Sequence, residues 1–350
     1  MKKILVIDDS TLMRRVISDI INQTNEYCVA YMAKNGVEGL EYIENNNDIL
    51  GVFCDINMPK MSGLELLQIL KRRNIHIPVV MISSSDDVND TITALQLGAL
   101  EFIKKPQQVL TVGKESFEKR VNNALCILNN GKNLRDIKMP NGVISRTNSN
   151  TAQAQESNHS KLIALVCSTG GPRALQSVLP FIPENINAPI VLVQHMPAGF
   201  TKSLADRLND LSRIQVKEAE NDEILKKGVC YIAKGGYHLT VKRDGKTSKI
   251  CLDDSPAVMG LKPCGNIMYE SLSKTDYAEI ICVVLTGMGE DGAKGIMNLS
   301  RTKNIYVIAQ DEETSTVYGM PRAVYQRGLT DSVCSIDKIA EEITRKVGVL

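Results

Sequence analysis

Short runs of Ile, Val and Leu recur along this chain, and each stops at a residue with reactive chemistry. Lys3 to Ile7 ends at Asp8, Leu50 to Cys54 at Asp55, Leu162 to Cys167 at Ser168, and Ile190 to Gln194 at His195; Ile280 to Leu285 stops shortly before Asp291. Runs this short and this continuously apolar, separated by segments of helical spacing, are the strands of a parallel sheet covered on both faces. The carboxyl ends of such strands open onto one crevice. The pattern therefore restricts the fold to α/β and says where the chemistry sits within it.

At 350 residues the chain exceeds the usual range of about 100 to 200 residues per domain, and the pattern divides it in two. In residues 1–125 the strands read as Lys3 to Ile7, Cys28 to Met32, Leu50 to Cys54, Pro78 to Ser83 and Glu101 to Lys104. Leu12, Val16 and Ile20 fall at helical spacing between them, as do Leu64, Leu67 and Leu70. This predicts a five-stranded parallel doubly wound sheet. Residues 126–160 finish a helix and then turn to Asn, Ser, Thr and Gln around Pro140 and Gly142, the composition of a flexible linker. Alternation resumes over residues 161–350, a second doubly wound α/β domain. There Val229 to Ala233, His238 to Val241 and Lys249 to Leu252 read as extra strands, and Gly235-Gly236 suggests the turn of an inserted β-hairpin.

The balance of 41 basic against 40 acidic residues gives no electrostatic footprint for nucleic acid, and no basic stripe or helix-turn-helix pattern stands out. The amino-terminal apolar run turns acidic at Asp8, too short for a signal peptide or for membrane insertion, so a cytoplasmic protein is expected. Nine cysteines form no Cys-x-x-Cys pair, which points to reduced structural thiols rather than zinc or disulfides.

In the first half, Asp8 and Asp9 end one strand and Asp55 another, gathering three acids at one sheet edge. Crowded carboxylates need a cation, and oxygen-rich sites of this kind suit Mg²⁺. Asp55 is then a candidate phosphoryl acceptor, with Lys105 to pair with the phosphoryl oxygens and Ser83 to hydrogen-bond one of them. Solvated strand-end acids are the alternative for any one of them alone. Together, Asp8-Asp9, Asp55 with Met58-Pro59 and Gly63, Ser83 and Lys105-Pro106 resemble the receiver domain of two-component response regulators. The resemblance implies phosphorylation of Asp55 by a histidine kinase, Mg²⁺ held by Asp9 and Asp55 with Asp8 acting through water, and the Asn57 carbonyl as a further ligand. Phe102 matches the family's mobile switch aromatic, although a core role fits it equally well.

In the second half, Ser168-Thr169-Gly170-Gly171-Pro172 follows a strand and opens a helix, which suits a nucleophile on a tight turn whose amides face a developing oxyanion. A helix cap or a phosphate cradle is the alternative, though no P-loop lysine follows. Of four histidines, only His195 ends a strand at the sheet crevice; His76 and His159 lie elsewhere and His238 in the presumed hairpin. Glu290, Asp291 and Asp311 all qualify as the carboxylate that would orient a histidine base, and Cys167 is a rival nucleophile better read as a buried thiol.

Ser168 to Pro172, Gln194-His195-Met196-Pro197, Lys217 to Glu220, Leu285 to Gly289 with Asp291-Gly292, and Gly319-Met320-Pro321-Arg322, joined to a receiver-like half, resemble the chemotaxis protein-glutamate methylesterases over nearly the whole chain. That resemblance assigns Ser168 as nucleophile, His195 as base and Asp291 as orienting acid, with Thr169, Gly170 and Met288 as neighbours of the site and no cofactor for the ester reaction. It implies a phosphorylation-activated esterase and glutamine deamidase acting on methyl-accepting chemoreceptors, with a chemotaxis histidine kinase as phosphodonor and recruitment to membrane receptor clusters. Lys262-Pro263-Cys264-Gly265-Asn266 departs from the family's Arg-Pro-Ser-Val-Asp, Val166 stands where the family has glycine, and Cys167 where it has alanine. These departures are expected to fall on the substrate groove and on the packing beneath the nucleophile. They leave open an adaptor whose esterase half has decayed, or an esterase acting on another signalling protein.

Overall fold

The computed structural model describes residues 1–83, 88–106, 114–130, 160–245 and 247–349. The chain separates into two compact units, Met1–Arg135 and Asp136–Leu350. The Ser/Asn-rich stretch expected as a linker, with His159, falls from 131 to 159, outside the described residues.

The first unit alternates β1 (Lys2–Ile7), α1 (Thr11–Asn22), β2 (Tyr27–Ala33), α2 (Gly36–Asn45), β3 (Ile49–Asp55), α3 (Gly63–Arg72), β4 (Val79–Ser83), α4 (Val88–Leu97), β5 (Glu101–Lys104) and α5 (Lys114–Asn130). All strands pair in parallel, in the order β2-β1-β3-β4-β5. Ile4 to Ile7, Val52 to Cys54 and Val80 to Ile82 are buried, which is why these runs show no polar alternation. α3 starts on a capping box in which Ser62 and Glu65 satisfy each other's amides. The strand order reverses between β1 and β3, so the loops after these two strands diverge and leave a crevice at their carboxyl ends.

The second unit contains β6 (Lys161–Cys167), α6 (Gly171–Val178), β7 (Ile190–Gln194), α7 (Phe200–Leu211), β8 (Gln215–Glu218), β9 (Val229–Ile232), β10 (His238–Asp244), β11 (Thr247–Asp253), α8 (Gly265–Ser271), β12 (Glu279–Val284), α9 (Ala293–Leu299), β13 (Asn304–Gln310), α10 (Met320–Gln326), β14 (Ser332–Cys334) and α11 (Ile339–Val347). Seven strands form one parallel sheet, ordered β14-β13-β12-β6-β7-β9-β8. β6 lies where the winding reverses, with β7 on one side and β12 on the other.

The inserted hairpin is present, but its turn is not Gly235-Gly236. β10 and β11 pair antiparallel from His238↔Asp253 to Asp244↔Thr247, closing around Gly245 at φ 59°. Val229 to Ala233, expected among the insert's strands, instead supplies β9 of the main sheet. Gly235 serves a close approach: a Cβ there would meet the Pro197 carbonyl oxygen at 2.4 Å.

Candidate active site and carboxylate site

β6 and β7 are in register with Cys167 opposite Gln194, so the residues that follow them, Ser168 and His195, emerge side by side. The His195 amide donates to the Cys167 carbonyl at 3.2 Å. Ser168 sits on a turn held from three sides. Its amide donates to Thr286 O (3.0 Å), and its carbonyl accepts from the Gly171 amide (2.7 Å) and from Gln194 Nε2 (3.0 Å). Gly170 has φ 75°, and a Cβ there would lie 2.3 Å from Thr316 Oγ1, so only glycine fits this turn. Ser168 is half-buried, and its hydroxyl has no hydrogen-bond partner among the described residues.

The loop after β12 brings Asp291 to the histidine. His195 Nε2 lies 2.7 Å from Asp291 Oδ2. The same carboxylate accepts from the amides of Gly265 (2.5 Å) and Asn266 (2.9 Å) and from the Cys264 thiol (3.1 Å). Burial alone would push its carboxyl up; His195 and the two amides outweigh that and hold it at about 2. Asp291 therefore stays ionised and orients the imidazole through its Nε2 side.

Neither rival carboxylate reaches His195. Glu290 is exposed and pairs with Arg327 at 2.5 Å, and Asp311 caps its own turn through the Thr314 amide at 3.0 Å. Cys167 is fully buried, its thiol pushed up by burial and donating to Gln194 Oε1 at 3.0 Å, so it supplies no thiolate. His238 is buried and bonded to the Pro256 carbonyl at 3.1 Å. Thr169 is half-buried and contributes its carbonyl to Thr286 Oγ1 (2.9 Å), while Met288 is exposed on the loop after Gly287.

Two features escape the sequence reading. Within Lys262 to Asn266, Cys264, Gly265 and Asn266 each donate to the Asp291 carboxylate, and Asn266 Oδ1 also accepts from the Gly292 and Gly295 amides (3.0 and 2.7 Å), tying down the acid's loop. The second is a pair of glutamines at the last positions of their strands. Gln194 braces the Ser168 carbonyl, and Gln310 Oε1 accepts from the Thr286 amide at 2.8 Å. A polar residue closing an apolar run was the available signal, the same one that marks Ser168 and His195.

In the first unit, Asp8 and Asp55 are buried and Asp9 is exposed, and a carboxylate oxygen from each lies within 4.8 Å of the others. Lys105 Nζ sits 2.5 Å from Asp55 Oδ2 and 3.1 Å from Asp8 Oδ2. Burial, then the charge of Asp8, pushes the Asp55 carboxyl up to about 6 against the pull of Lys105. Three hard oxygen donors with one lysine between them are still net anionic, a donor set that fits Mg²⁺. Ser83 is buried, and its hydroxyl has no hydrogen-bond partner among the described residues. Asn57 lies exposed just beyond β3, and Phe102 is half-buried on β5.

A family model described as CheB methylesterase matches residues 163–343, and one described as response regulator receiver domain matches residues 4–112. The chain belongs to the CheB methylesterase family. A protein-glutamate methylesterase/protein-glutamine glutaminase of Geobacillus kaustophilus is 38% identical over 348 residues, covering 99% of each chain. The protein of the same name from Bacillus subtilis is 37% identical over 354 residues, covering 98% of each. Among solved structures, the CheB methylesterase catalytic domain of Thermotoga maritima matches with a TM-score of 0.52 and 41% identity, covering 54% of this chain and 99% of that one. This CheB-family chain has no helix, among the described residues, long and apolar enough to cross a membrane.

Proposed function

We propose that this chain is a phosphorylation-controlled protein-glutamate methylesterase and glutamine deamidase acting on methyl-accepting chemoreceptors. The observation that carries the reading is the 2.7 Å contact between His195 and Asp291 at the strand ends that also present Ser168, within a chain of this family. Ser168 Oγ attacks the side-chain ester carbonyl and its proton passes to His195 Nδ1; Asp291 stabilises the imidazolium through Nε2–H. The imidazolium returns the proton to the departing methoxide, so methanol leaves and a glutamyl-serine ester remains. Water, deprotonated by the same imidazole, cleaves that ester and releases the carboxylate and the serine. With glutamine as substrate the leaving group is ammonia.

In the receiver unit Asp55 accepts a phosphoryl group from a histidine kinase. Lys105, already paired with Asp55 and Asp8, is within reach of the added oxygens, and the unpaired Ser83 hydroxyl can donate to one of them. Asp8, Asp9, Asp55 and the Asn57 carbonyl would hold Mg²⁺, which neutralises phosphoryl charge when bound. The hydrogen bonds from Cys264, Gly265 and Asn266 to Asp291 weigh against an adaptor whose esterase half has decayed.

The test is methanol release from methylated receptor membranes by the full chain and by Ser168→Ala, each with and without a small phosphodonor. Release that is stimulated by phosphodonor and absent in the variant supports the reading; release that survives in Ser168→Ala would end it.

A further inference from the structure

Beside the nucleophile loop lies a cavity of about 650 Å³ lined by Gly289, Glu290, Gly319, Arg322, Gln326 and Arg327. Its floor is joined to the serine by close backbone packing. A Cβ on Gly287 would lie 2.8 Å from Ser168 Cβ, and one on Gly319 would lie 2.6 Å from Gly287 O and 3.0 Å from Gly289 N. The amides of Gly319 and Met320 both donate to the Gly287 carbonyl, at 3.1 and 2.8 Å. The backbone from Gly287 to Gly289 that borders the cavity is therefore packed directly against Ser168, with Met320 Sδ filling the remaining space beside Gly287.

The charges in the cavity do not cancel. Glu290 is neutralised by Arg327 Nη2 at 2.5 Å, and Arg327 is further held by the Ala323 carbonyl at 3.0 Å. Arg322 is exposed and has no acidic partner among the described residues. One guanidinium thus remains free beside the reacting centre, and a planar fork of N–H donors recognises a carboxylate.

We propose that this cavity is a carboxylate subsite in which Arg322 holds a free glutamate side chain of the polypeptide substrate, next to the ester being cleaved. The inference rests on the esterase reading above and refines its substrate. On a helix, residues three or four apart lie about 5–6 Å from one another, so an ester in front of Ser168 carries its next-turn neighbour alongside it. Each hydrolysis turns an uncharged ester into a carboxylate, which is the group Arg322 binds. A substrate already hydrolysed at one position is then cleaved faster at the next, and the reaction promotes its own continuation along a helix.

The experiment uses the full chain and a methylated receptor fragment in two forms, carrying either Glu or Gln one helical turn from a single glutamate methyl ester. The readout is the ratio of kcat/KM for the Glu form to that for the Gln form, from methanol release at low salt. Wild type should favour the Glu form about two- to fivefold, the range of an exposed ion pair, and the preference should fade as salt is raised. Arg322→Lys should keep much of it, Arg322→Gln should bring the ratio to about one, and Arg322→Glu should invert it. Because each ratio is measured on one enzyme preparation, partial loss of folded protein cancels. The same ratio in all four proteins would overturn the subsite. No release from either form by wild type, with a small glutamate methyl ester still hydrolysed, would instead remove the receptor as substrate and the proposal with it.

Discussion

Gly265 and Val166 occupy one volume between them: a Cβ at position 265 would fall 2.6 Å from Val166 Cγ2 and 3.0 Å from Asp291 Oδ2. Val166 is the buried penultimate residue of β6, just before the Ser168 turn, and Gly265 opens α8 with its amide on the Asp291 carboxylate. The valine fills the space that the glycine leaves, so side-chain volume at 166 and at 265 is coupled across the site. Gly265→Val should overpack this contact and cost about 1–3 kcal/mol, with kcat falling because the intruding side chain also presses on Asp291. Val166→Gly alone should be destabilising through the cavity it opens. The double variant should be more stable than the sum of the two by about 1–3 kcal/mol, measured by denaturant unfolding of the esterase unit within the full chain. Additive effects would show that the two positions do not share this space.

Asp291 predicts an acid limit for the esterase unit. Its carboxyl is held at about 2 in the folded protein, below the roughly 3.9 of an unfolded aspartate. A depressed carboxylate stabilises the fold fully above pH ~4, and that contribution is lost as pH falls through about 2. The shift corresponds to about 2 kcal/mol. Asp291→Asn, which cannot titrate, should flatten the decline in esterase-unit stability between pH 4 and 2, seen by following its unfolding at a series of pH values. An unchanged slope would show that other carboxylates carry the acid response.

Thr286 ties the loop leading to Asp291 to the Ser168 turn. Its hydroxyl donates to the Thr169 carbonyl and accepts from the Val317 amide, both at 2.9 Å, while its carbonyl takes the Ser168 amide at 3.0 Å. Thr286→Val keeps the volume and removes the first two bonds. It should cost about 1 kcal/mol by leaving the half-buried Val317 amide without its partner and lower kcat about tenfold or more through misplacement of the serine, with KM little altered. A drop confined to KM would instead place Thr286 at substrate binding.

What could be foreseen from the sequence follows from the kind of interaction involved. Strand-end residues announce themselves because an apolar run must stop somewhere, and Ser168, His195, Asp8 and Asp55 stand at such stops. The five strands of the first sheet and the α/β class of the second unit follow from the same alternation. The role of Lys262 to Asn266 was hidden because two of its bonds to Asp291 come from main-chain amides, which no residue type reveals. The shared space between Val166 and Gly265 was hidden because the partners are far apart in sequence. The hairpin turn was misplaced for a related reason. Gly235-Gly236 carries a turn signature, yet its small size serves the approach to Pro197, and the sharper reversal belongs to Gly245.

Ser83 offers a test of the receiver unit in its resting state. Its hydroxyl is buried without a hydrogen bond among the described residues, an arrangement that costs about 1–3 kcal/mol relative to a paired or solvated hydroxyl. Such a group persists where it gains a partner in another state, and a phosphoryl oxygen on Asp55 would supply one. The Lys105 amide donates to the Ser83 carbonyl at 2.7 Å, so the backbone here is pinned independently of the hydroxyl. Ser83→Ala should therefore leave the unphosphorylated receiver as stable as wild type or more so, by up to about 1 kcal/mol, while lowering the fraction phosphorylated by a small phosphodonor. The two measurements are thermal unfolding without phosphodonor and intact-protein mass after phosphodonor treatment. Clear destabilisation with normal phosphorylation would show that the hydroxyl serves the resting fold instead.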